Sequence, residues 1–329
     1  MRRVITYSPA YTIVPTYQCF NRCGYCNFRV DVGTEEQISI KDITKTLQRL
    51  DSQAVTEILI LSGELHPLSV DRHKWLTKIY ETCDLSLSMG FLPHTNAGPL
   101  SWSEMKRLKE VNVSMGLMLE QVNPKFMKTI HKNAPSKEPK LRLEQLNWAG
   151  KLKIPFTTGL LLGIGETRLD IEESLKAIAK IHNRWGHIQE VILQPHSAGS
   201  TQKEDIDTFN LHLLPEIIAI AKKILPASIS IQIPPNLVSD SNFLLDCLDA
   251  GATDLGGIGP IDEVNPDYSH LTFDSLSKIL EPAGWRLKSR LPIYPQYYSW
   301  LSIALKKVVM AKEKRLISQN KDLFCKAML

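Results

Sequence analysis

Short apolar runs alternate with amphipathic segments along most of the chain, and this alternation limits the possible folds more than any other feature. The runs are rich in Ile, Leu and Val and seldom alternate with polar residues, as is typical of parallel strands buried on both faces. They predict strands at 11–16, 57–61, 85–89, 113–119, 156–163, 189–194, 228–233 and 252–257. Strand–helix units repeating about every 30 residues predict a TIM-type (β/α) barrel, with all or nearly all of its eight strands.

Amphipathic helices are predicted between these strands. Segment 39–51 carries its apolar residues on one face behind Ser39, a good N-cap residue. Further helices are predicted at 101–110, 170–182, 211–225 and 239–251, a surface loop at 131–139, and a terminal helix or tail at 317–329. We expect one domain spanning 1–329, with a barrel core at about 5–290 and a C-terminal helical extension at 291–329.

Composition excludes several classes of protein. Hydrophobic residues make up 43% and charged residues 22% of the 329 positions, which is ordinary for a soluble globular chain. The net charge of +4 is not gathered into a basic cluster with aromatics, so no nucleic-acid partner is expected. No apolar run approaches the ~20 residues of a membrane span. Mostly unpaired cysteines and no export signal predict a cytoplasmic protein.

Three of the six cysteines, Cys19, Cys23 and Cys26, lie within eight positions. A zinc knuckle or ribbon pairs its first two cysteines with a second ligand pair, whereas Cys83 and Cys247 stand alone. A catalytic thiol needs only one cysteine. The triad therefore favours a [4Fe–4S] cluster with three thiolate ligands and one open iron, and a structural zinc site remains the alternative.

The spacing C-x-x-x-C-x-x-C directly after the first strand, with Tyr25 before the last cysteine, resembles the radical S-adenosylmethionine (SAM) superfamily. The resemblance implies that the amine and carboxylate of SAM occupy the open iron. It further implies that an electron from the cluster cleaves SAM and leaves a 5′-deoxyadenosyl radical. The missing fourth ligand would then be the cofactor itself.

Further positions after the strands match superfamily motifs that bind SAM. Residues 62–64 stand where the superfamily has a Gly-Gly-Glu that receives the methionyl ammonium, and residues 159–166 match a turn that lines the adenine. Glu120, just past strand four, would bind the ribose hydroxyls. For residues 159–166 the alternative is a plain tight turn, and for Glu120 it is an exposed surface carboxylate. The implied SAM-binding residues are Tyr25, Ser62, Gly63, Glu64, Glu120, Gly163, Ile164 and Glu166.

Most of the chain also resembles one family within this superfamily, 7,8-didemethyl-8-hydroxy-5-deazariboflavin synthase, in its ammonia-releasing small subunit. The resemblance rests on "CGYCNFR", "FLPHTNAGPLS", "SMGLMLE", "PFTTGLLLGIGET", "HIQEVILQ", "IPPNL" and "GGIGP", in this order. It implies a carbon–nitrogen lyase that converts 5-amino-5-(4-hydroxybenzyl)-6-(D-ribitylimino)-dihydrouracil to the deazaflavin, with release of ammonia, methionine and 5′-deoxyadenosine. It also implies two partners, the tyrosine-side subunit that makes this substrate and an electron donor such as ferredoxin or flavodoxin.

Such a substrate is a flat neutral heterocycle with a polyol tail, which amides, hydroxyls and histidine suit better than charges. His94, Thr95, Asn96, Gln194 and Asn236 are such groups near strand ends and are the predicted substrate contacts. His94 is the predicted general base, because the pKa of histidine is ordinarily close to neutrality. Capping of loops by Asn and Thr is the alternative.

Four other functions are alternatives from the residues alone. The tyrosine-side deazaflavin enzyme and a menaquinone-pathway enzyme share the radical SAM motifs. A sulfur inserter would need a second cluster, for which Cys83 and Cys247 are too few. A non-catalytic zinc-binding adaptor belongs to a different class, and metal analysis distinguishes it.

Overall fold

The computed structural model describes residues 3–326, apart from residues 36, 53, 205 and 239. Its first eight strands are β1 (Arg3–Ile13), β2 (Glu57–Leu61), β3 (Leu92–Asn96), β4 (Ser114–Gly116), β5 (Phe156–Leu162), β6 (Ile188–Pro195), β7 (Ser230–Gln232) and β8 (Asp254–Ile258). They are parallel and lie side by side in chain order, and β1 pairs with both β8 and β2. This closure confirms the predicted TIM-type barrel.

Helices cover the outside of the barrel and bury the outer faces of the strands. They are α1 (Ile40–Arg49), α2 (Arg72–Ser88), α3 (Trp102–Lys109), α4 (Pro139–Lys151), α5 (Arg168–Trp185), α6 (Leu214–Ile224), α7 (Ser241–Ala250), α8 (Phe273–Leu280) and α9 (Ile303–Lys326). All seven residues of β5 are buried, as expected for a strand covered on both faces. Ser39 caps α1 as predicted, since its side chain accepts a hydrogen bond from the backbone N–H of Asp42.

The predicted strand at 85–89 is wrong, because these residues end helix α2. Trp75, Ile79 and Cys83 are buried at helical spacing on that helix, and the apolar residues after them continue the same face. The third strand is instead β3, whose sequence LPHTN has no continuous apolar run. Consequently His94 lies on a barrel strand and not on the loop that follows it.

A ninth strand, β9 (Trp285–Ser289), was not predicted from the sequence. It pairs in parallel with Arg3–Tyr7, the first half of β1, while β2 pairs with the second half. The chain then crosses the N-terminal end of the barrel, where the carbonyl of Pro292 accepts hydrogen bonds from Ser114 Oγ (2.6 Å) and Gln189 Nε2 (3.0 Å). The segment after β9 therefore closes the bottom of the barrel.

Helix α9 completes this closure with a small apolar core of its own. Leu305 and Val309 of α9 pack in one cluster with Leu92 of β3 and Ile293 of the closing segment. Residues 327–329, part of the predicted tail, lie outside the described residues. No helix among the described residues is long and apolar enough to span a membrane.

A core truncation tests whether β5 holds the barrel together. Leu160 in β5 is fully buried, whereas Leu169 at the start of α5 is 61% exposed. We expect Leu160→Ala to lower the free energy of unfolding by about 2–5 kcal/mol, because it removes packed methyl groups and leaves a cavity. Leu169→Ala, the matched control, should change it by less than about 0.5 kcal/mol. Urea unfolding followed by circular dichroism measures both, and equal losses would contradict the assignment.

Candidate active site

A cavity of about 350 Å³ occupies the barrel interior and the loops at the C-terminal strand ends. Most of the residues singled out from the sequence line it: Cys19, Cys23, Tyr25, Cys26, Ser62, Gly63, Glu64, His94, Asn96, Glu120, Gln194 and Asn236. Thr95, Gly163, Ile164 and Glu166 are not part of its lining. The lining residues come from six different strands or strand ends, so it is the tertiary structure that brings them together.

The three cysteines lie on the loop after β1, which backbone hydrogen bonds hold in place. Cys19 N–H donates to Val30 O (3.1 Å), and Cys26 N–H donates to Cys23 O (3.2 Å). Burial raises the pKa of the Cys23 thiol to about 12, and burial together with the nearby Glu64 raises the pKa of Cys19. A metal centre would have to displace these protons, which couples metal binding to pH.

The donor set fits a cubane cluster. In the described part of the chain, no three His, Cys, Asp or Glu side chains converge on a single ion site. A cubane does not require such convergence, because each thiolate binds a different iron. The described lining of the cavity contains three cysteines, one fewer than the four irons of a [4Fe–4S] cluster. Cys19, Cys23 and Cys26 would therefore leave one iron for another ligand.

Gly63 lies against the cysteine loop so closely that no other residue fits. A Cβ at this position would be 2.2 Å from the carbonyl oxygen of Gln18. Ser62, which replaces a glycine of the superfamily motif, uses its hydroxyl inside the fold: Oγ accepts from Trp75 Nε1 (2.9 Å) and donates to Gly63 O (2.9 Å). Trp75 of helix α2 thus holds the hydroxyl of Ser62, so a serine fits at this position of the motif.

Glu64 is held by three side chains that come from other segments. Asn21 Nδ2 donates to Glu64 Oε2 (2.8 Å), Ser136 Oγ donates to the same oxygen, and Arg142 Nη2 lies 3.5 Å from Oε1. Asn21 Nδ2 is also 3.7 Å from the sulfur of Cys19. Asn21 therefore connects the predicted methionyl-binding carboxylate to the cysteine loop.

Glu120 is a second fixed carboxylate and carries backbone strain. Its φ of 64° is in the left-handed region, which a non-glycine residue rarely adopts. Burial raises the pKa of Glu120, but the neighbouring Lys137 and Arg142 cations lower it by more, so the net shift is downward. Lys137 Nζ lies 2.5 Å from Glu120 Oε1. The site thus contains an ionised, immobilised carboxylate.

Ser136 and Lys137 belong to the segment 131–139, which is a loop as predicted but lies only partly at the surface. Ala134 and Ser136 are buried, and a short 3-10 turn, Pro135–Lys137, lies across the mouth of the barrel. Lys137 pairs with a residue 17 positions away, and the adjacent Arg142 with one 78 positions away. No local pattern signals such contacts, so the sequence could not assign them.

Tyr25 lies next to this charged group. Its hydroxyl is 3.2 Å from His131 Nε2, and its ring centroid is 5.7 Å from Lys137 Nζ. Burial raises the pKa of the Tyr25 phenol, so the residue is neutral. It offers the cavity an aromatic face between the cysteines and the Glu120–Lys137 pair.

His94 has a single tautomer that fits its surroundings. Its Nδ1 is 2.7 Å from Ser114 Oγ, and that hydroxyl donates its only proton to the carbonyl oxygen of Pro292. Nδ1 must therefore carry the proton and donate it, which leaves Nε2 as an acceptor beside Gly116. Burial, and then the nearby Arg290, lower the pKa of His94 to about 3. A base this weak takes up few protons near neutrality, so the geometry favours His94 as a hydrogen-bond acceptor.

The predicted residues outside the lining have structural partners. Thr95 points to the helix layer, where its hydroxyl donates to Asn112 Oδ1 (2.7 Å) and touches Cys83. Glu166 closes its own turn by accepting from the N–H groups of Gly163 (2.6 Å) and Ile164 (2.9 Å). From this turn, Ile164 packs in an apolar cluster against which Tyr25 lies. The side chains of Thr95, Ile164 and Glu166 are thus engaged by the fold itself, and their binding roles stay predictions.

Comparison with known proteins agrees with this geometry. Residues 13–178 match the Radical SAM superfamily. The chain is 62% identical over 299 residues to 7,8-didemethyl-8-hydroxy-5-deazariboflavin synthase of Trichormus variabilis, covering 91% of this chain and 88% of the relative. It is 60% identical to the synthase of Trichodesmium erythraeum, covering 94% and 97%.

The chain belongs to the deazariboflavin synthase family of the radical SAM superfamily. Solved structures support the fold alone. The FeFe-hydrogenase maturase HydG from Carboxydothermus hydrogenoformans matches 98% of this chain and 79% of its own, with a TM-score of 0.70 and 17% identity. Methylornithine synthase matches 91% and 86%, with a TM-score of 0.65 and 15% identity. Like other members of its superfamily, this radical SAM enzyme is expected to use a [4Fe–4S] cluster and SAM.

The Glu120–Lys137 pair makes a pH-dependent prediction. Lys137→Met should cost up to about 3 kcal/mol of folding free energy at pH 7, because it leaves a buried carboxylate without its nearest cation. The pKa of Glu120 is lowered in the folded protein, so the stabilisation is present above its unfolded value and is lost as the pH falls through its folded value. The difference between variant and parent should therefore shrink in acid.

Urea unfolding of metal-free protein at several pH values measures this difference. Lys140→Met is the matched control, because Lys140 is an exposed lysine three positions further along the chain. A loss that is the same for both variants, or one that does not vary with pH, would show that the pair does not act as described.

Proposed function

We propose that this protein catalyses the ammonia-releasing half-reaction of deazaflavin formation, as a carbon–nitrogen lyase. Its substrate would be 5-amino-5-(4-hydroxybenzyl)-6-(D-ribitylimino)-dihydrouracil, and its products 7,8-didemethyl-8-hydroxy-5-deazariboflavin, ammonia, methionine and 5′-deoxyadenosine. The observation that carries the proposal is one cavity with three cysteines at its mouth and amide and imidazole groups along its wall. The names of the relatives support it.

Cys19, Cys23 and Cys26 would hold one [4Fe–4S] cluster. When bound, this cluster and SAM would supply the hydrogen-abstracting 5′-deoxyadenosyl radical. Glu64, fixed by Asn21 and Arg142, would receive the methionyl ammonium at this mouth. That these three residues line the same cavity as the cysteines supports this role.

The rest of the SAM site is proposed to follow the same wall. Glu120, ionised and immobile, would accept the ribose hydroxyls, and Tyr25 would cover one face of the ligand. The backbone at Ser62 and Gly63 would lie beside the methionyl group. Gly163, Ile164 and Glu166 would act on the adenine from behind, by positioning the end of β5 and supporting Tyr25.

The substrate is proposed to bind deeper in the barrel. Asn96, Gln194 and Asn236 would hydrogen-bond its polar groups, and Thr95 would act only by holding its neighbours on β3. Asn236 is buried, and its Nδ2 donates to Asp262 Oδ2 (2.8 Å). Its Oδ1 has no partner among the described residues and is an acceptor suited to a polyol hydroxyl.

We further propose that the chain works as one domain, 1–329, in the cytoplasm. The tyrosine-side subunit would supply the substrate, and a one-electron donor such as ferredoxin or flavodoxin would reduce the cluster. A mouth lined by the cysteine loop suits both exchanges, because the cluster would lie close to the surface.

Metal analysis tests the cluster. Anaerobically reconstituted protein should be brown and contain about four irons with matching sulfide. Cys23→Ala should lose most of this iron, because a ligand is removed. Cys83→Ala is the matched control, since Cys83 is buried outside the cavity against Thr95 and Asn112. Zinc without sulfide in the parent would support the adaptor function instead.

Anaerobic turnover tests the reaction. Reconstituted protein, reductant and SAM should yield deazaflavin fluorescence when the tyrosine-side subunit, tyrosine and the ribitylaminouracil are added. Omission of that subunit is the control and should abolish fluorescence, because the substrate is then not made. Accumulation of the dihydrouracil intermediate without deazaflavin in the complete mixture would exclude this half-reaction and favour another radical SAM function.

A further inference from the structure

The bottom of the cavity holds ionisable side chains that, apart from one histidine, the sequence did not single out as site residues. We call this set the barrel floor, and it consists of Glu57, His94, Glu190, Asp254 and Arg290. All except Asp254 line the cavity. Arg290 comes directly after β9 and enters the barrel from below, so the closing segment of the chain builds this part of the site.

Arg290 is fixed by a two-pronged pair with Asp254. Its Nε lies 2.6 Å from Oδ2, and its Nη2 lies 2.7 Å from Oδ1. Nη2 also contacts Glu190 Oε1, while Nη1 donates to the carbonyl of Leu291 (3.0 Å). Such a fork neutralises the guanidinium and leaves it little capacity to bind a ligand anion.

The floor therefore carries more carboxyl groups than cations. Burial raises the pKa of Glu57 and of Glu190, so that both hold a proton more readily than a carboxyl in water. Glu190 Oε2 accepts from Thr157 Oγ1 (2.8 Å). Glu190 Oε1 is ion-paired with Arg290 Nη2. Both oxygens of this buried carboxyl are therefore engaged, by Thr157 and by Arg290.

The remaining members of the floor add one acceptor and one donor. His94 presents the unprotonated Nε2 to the cavity, since Nδ1 is committed to Ser114. Glu57 lies at the start of β2 and lines the cavity, and a carboxyl that takes up a proton there can donate one hydrogen bond and accept another. Acceptors and a donor thus lie around one closed end of the cavity.

We propose that the barrel floor recognises the edge of a neutral ring with neighbouring N–H and C=O groups, a cyclic imide or amide. The N–H group would donate to His94 Nε2, and the carbonyl would accept from Glu57. This assignment rests on the proposed function, in which the ring is the pyrimidine dione of the substrate. It makes Glu57 and His94 specificity-determining residues for that ring.

The charges of the cavity exclude an anionic ligand at this end. Each cation in its described lining is already paired with a carboxylate: Arg29 with Asp31, Lys137 with Glu120, Arg142 with Glu64, and Arg290 with Asp254. A phosphate or carboxylate group would have to break one of these pairs. A neutral ring satisfies the same hydrogen-bonding groups without this cost.

Calorimetry with a defined probe tests the proposal. The probe is 6-(D-ribitylamino)uracil, titrated into reconstituted protein with SAM and without reductant, and compared with its N3-methyl analogue. We expect the parent to bind the methylated probe about tenfold or more weakly, because the ring N–H is lost. Glu57→Leu should raise the Kd of the unmethylated probe about tenfold, and Glu57→Gln, which keeps a donor and an acceptor, should restore most of the affinity.

Glu173→Leu is the matched control, because Glu173 is an exposed carboxylate on α5. Iron content and circular dichroism check that each variant is folded, and the methylated probe tests the parent without any substitution. Equal affinities for both probes, or equal effects of Glu57→Leu and Glu173→Leu, would overturn the assignment of the floor. No binding of either probe by the parent would also overturn the assignment of the floor, whereas the anaerobic turnover experiment decides the proposed function separately.

Discussion

Strand β1 pairs with β8 along one edge and with β2 and β9 along the other, and every part of the site depends on this closure. The cysteine loop begins a few residues after β1 ends, so the pairing fixes where the loop leaves the barrel. The same strand holds β9 at its first half, which directs Arg290 into the barrel from below. One long strand therefore positions both ends of the cavity.

The mouth of the barrel is organised by two carboxylates and two cations. Glu64 and Glu120 would each be costly to bury alone, and Lys137 and Arg142 offset that cost. Because the cations come from the segment across the mouth and from helix α4, the charges also hold that segment in place. A SAM molecule would meet carboxylates that are already held in place, so less ordering is needed on binding.

The interior of the barrel is polar but nearly neutral. Histidine and carboxyl groups there are shifted by burial toward their uncharged forms, and Arg290 is neutralised by Asp254. This environment suits an uncharged heterocycle better than a phosphorylated one. It also lowers the pKa of His94 to about 3 and leaves Nε2 free to accept a hydrogen bond, while the general-base role of His94 stays a prediction.

The sequence alone determined the barrel class, the cysteine triad and the family, because these depend on local patterns. An apolar run of strand length and the cysteine spacing each extend over only a few residues, so each can be read directly from the sequence. It misplaced the third strand, since β3 contains Pro93 and His94 and the apolar run before it belongs to a helix. It also missed Asn21, Ser136, Lys137, Arg142, Glu190 and Arg290 as members of the site. Only the tertiary structure could decide these, because ion pairs and hydrogen bonds between residues tens of positions apart follow from barrel closure and leave no periodic signal in the chain.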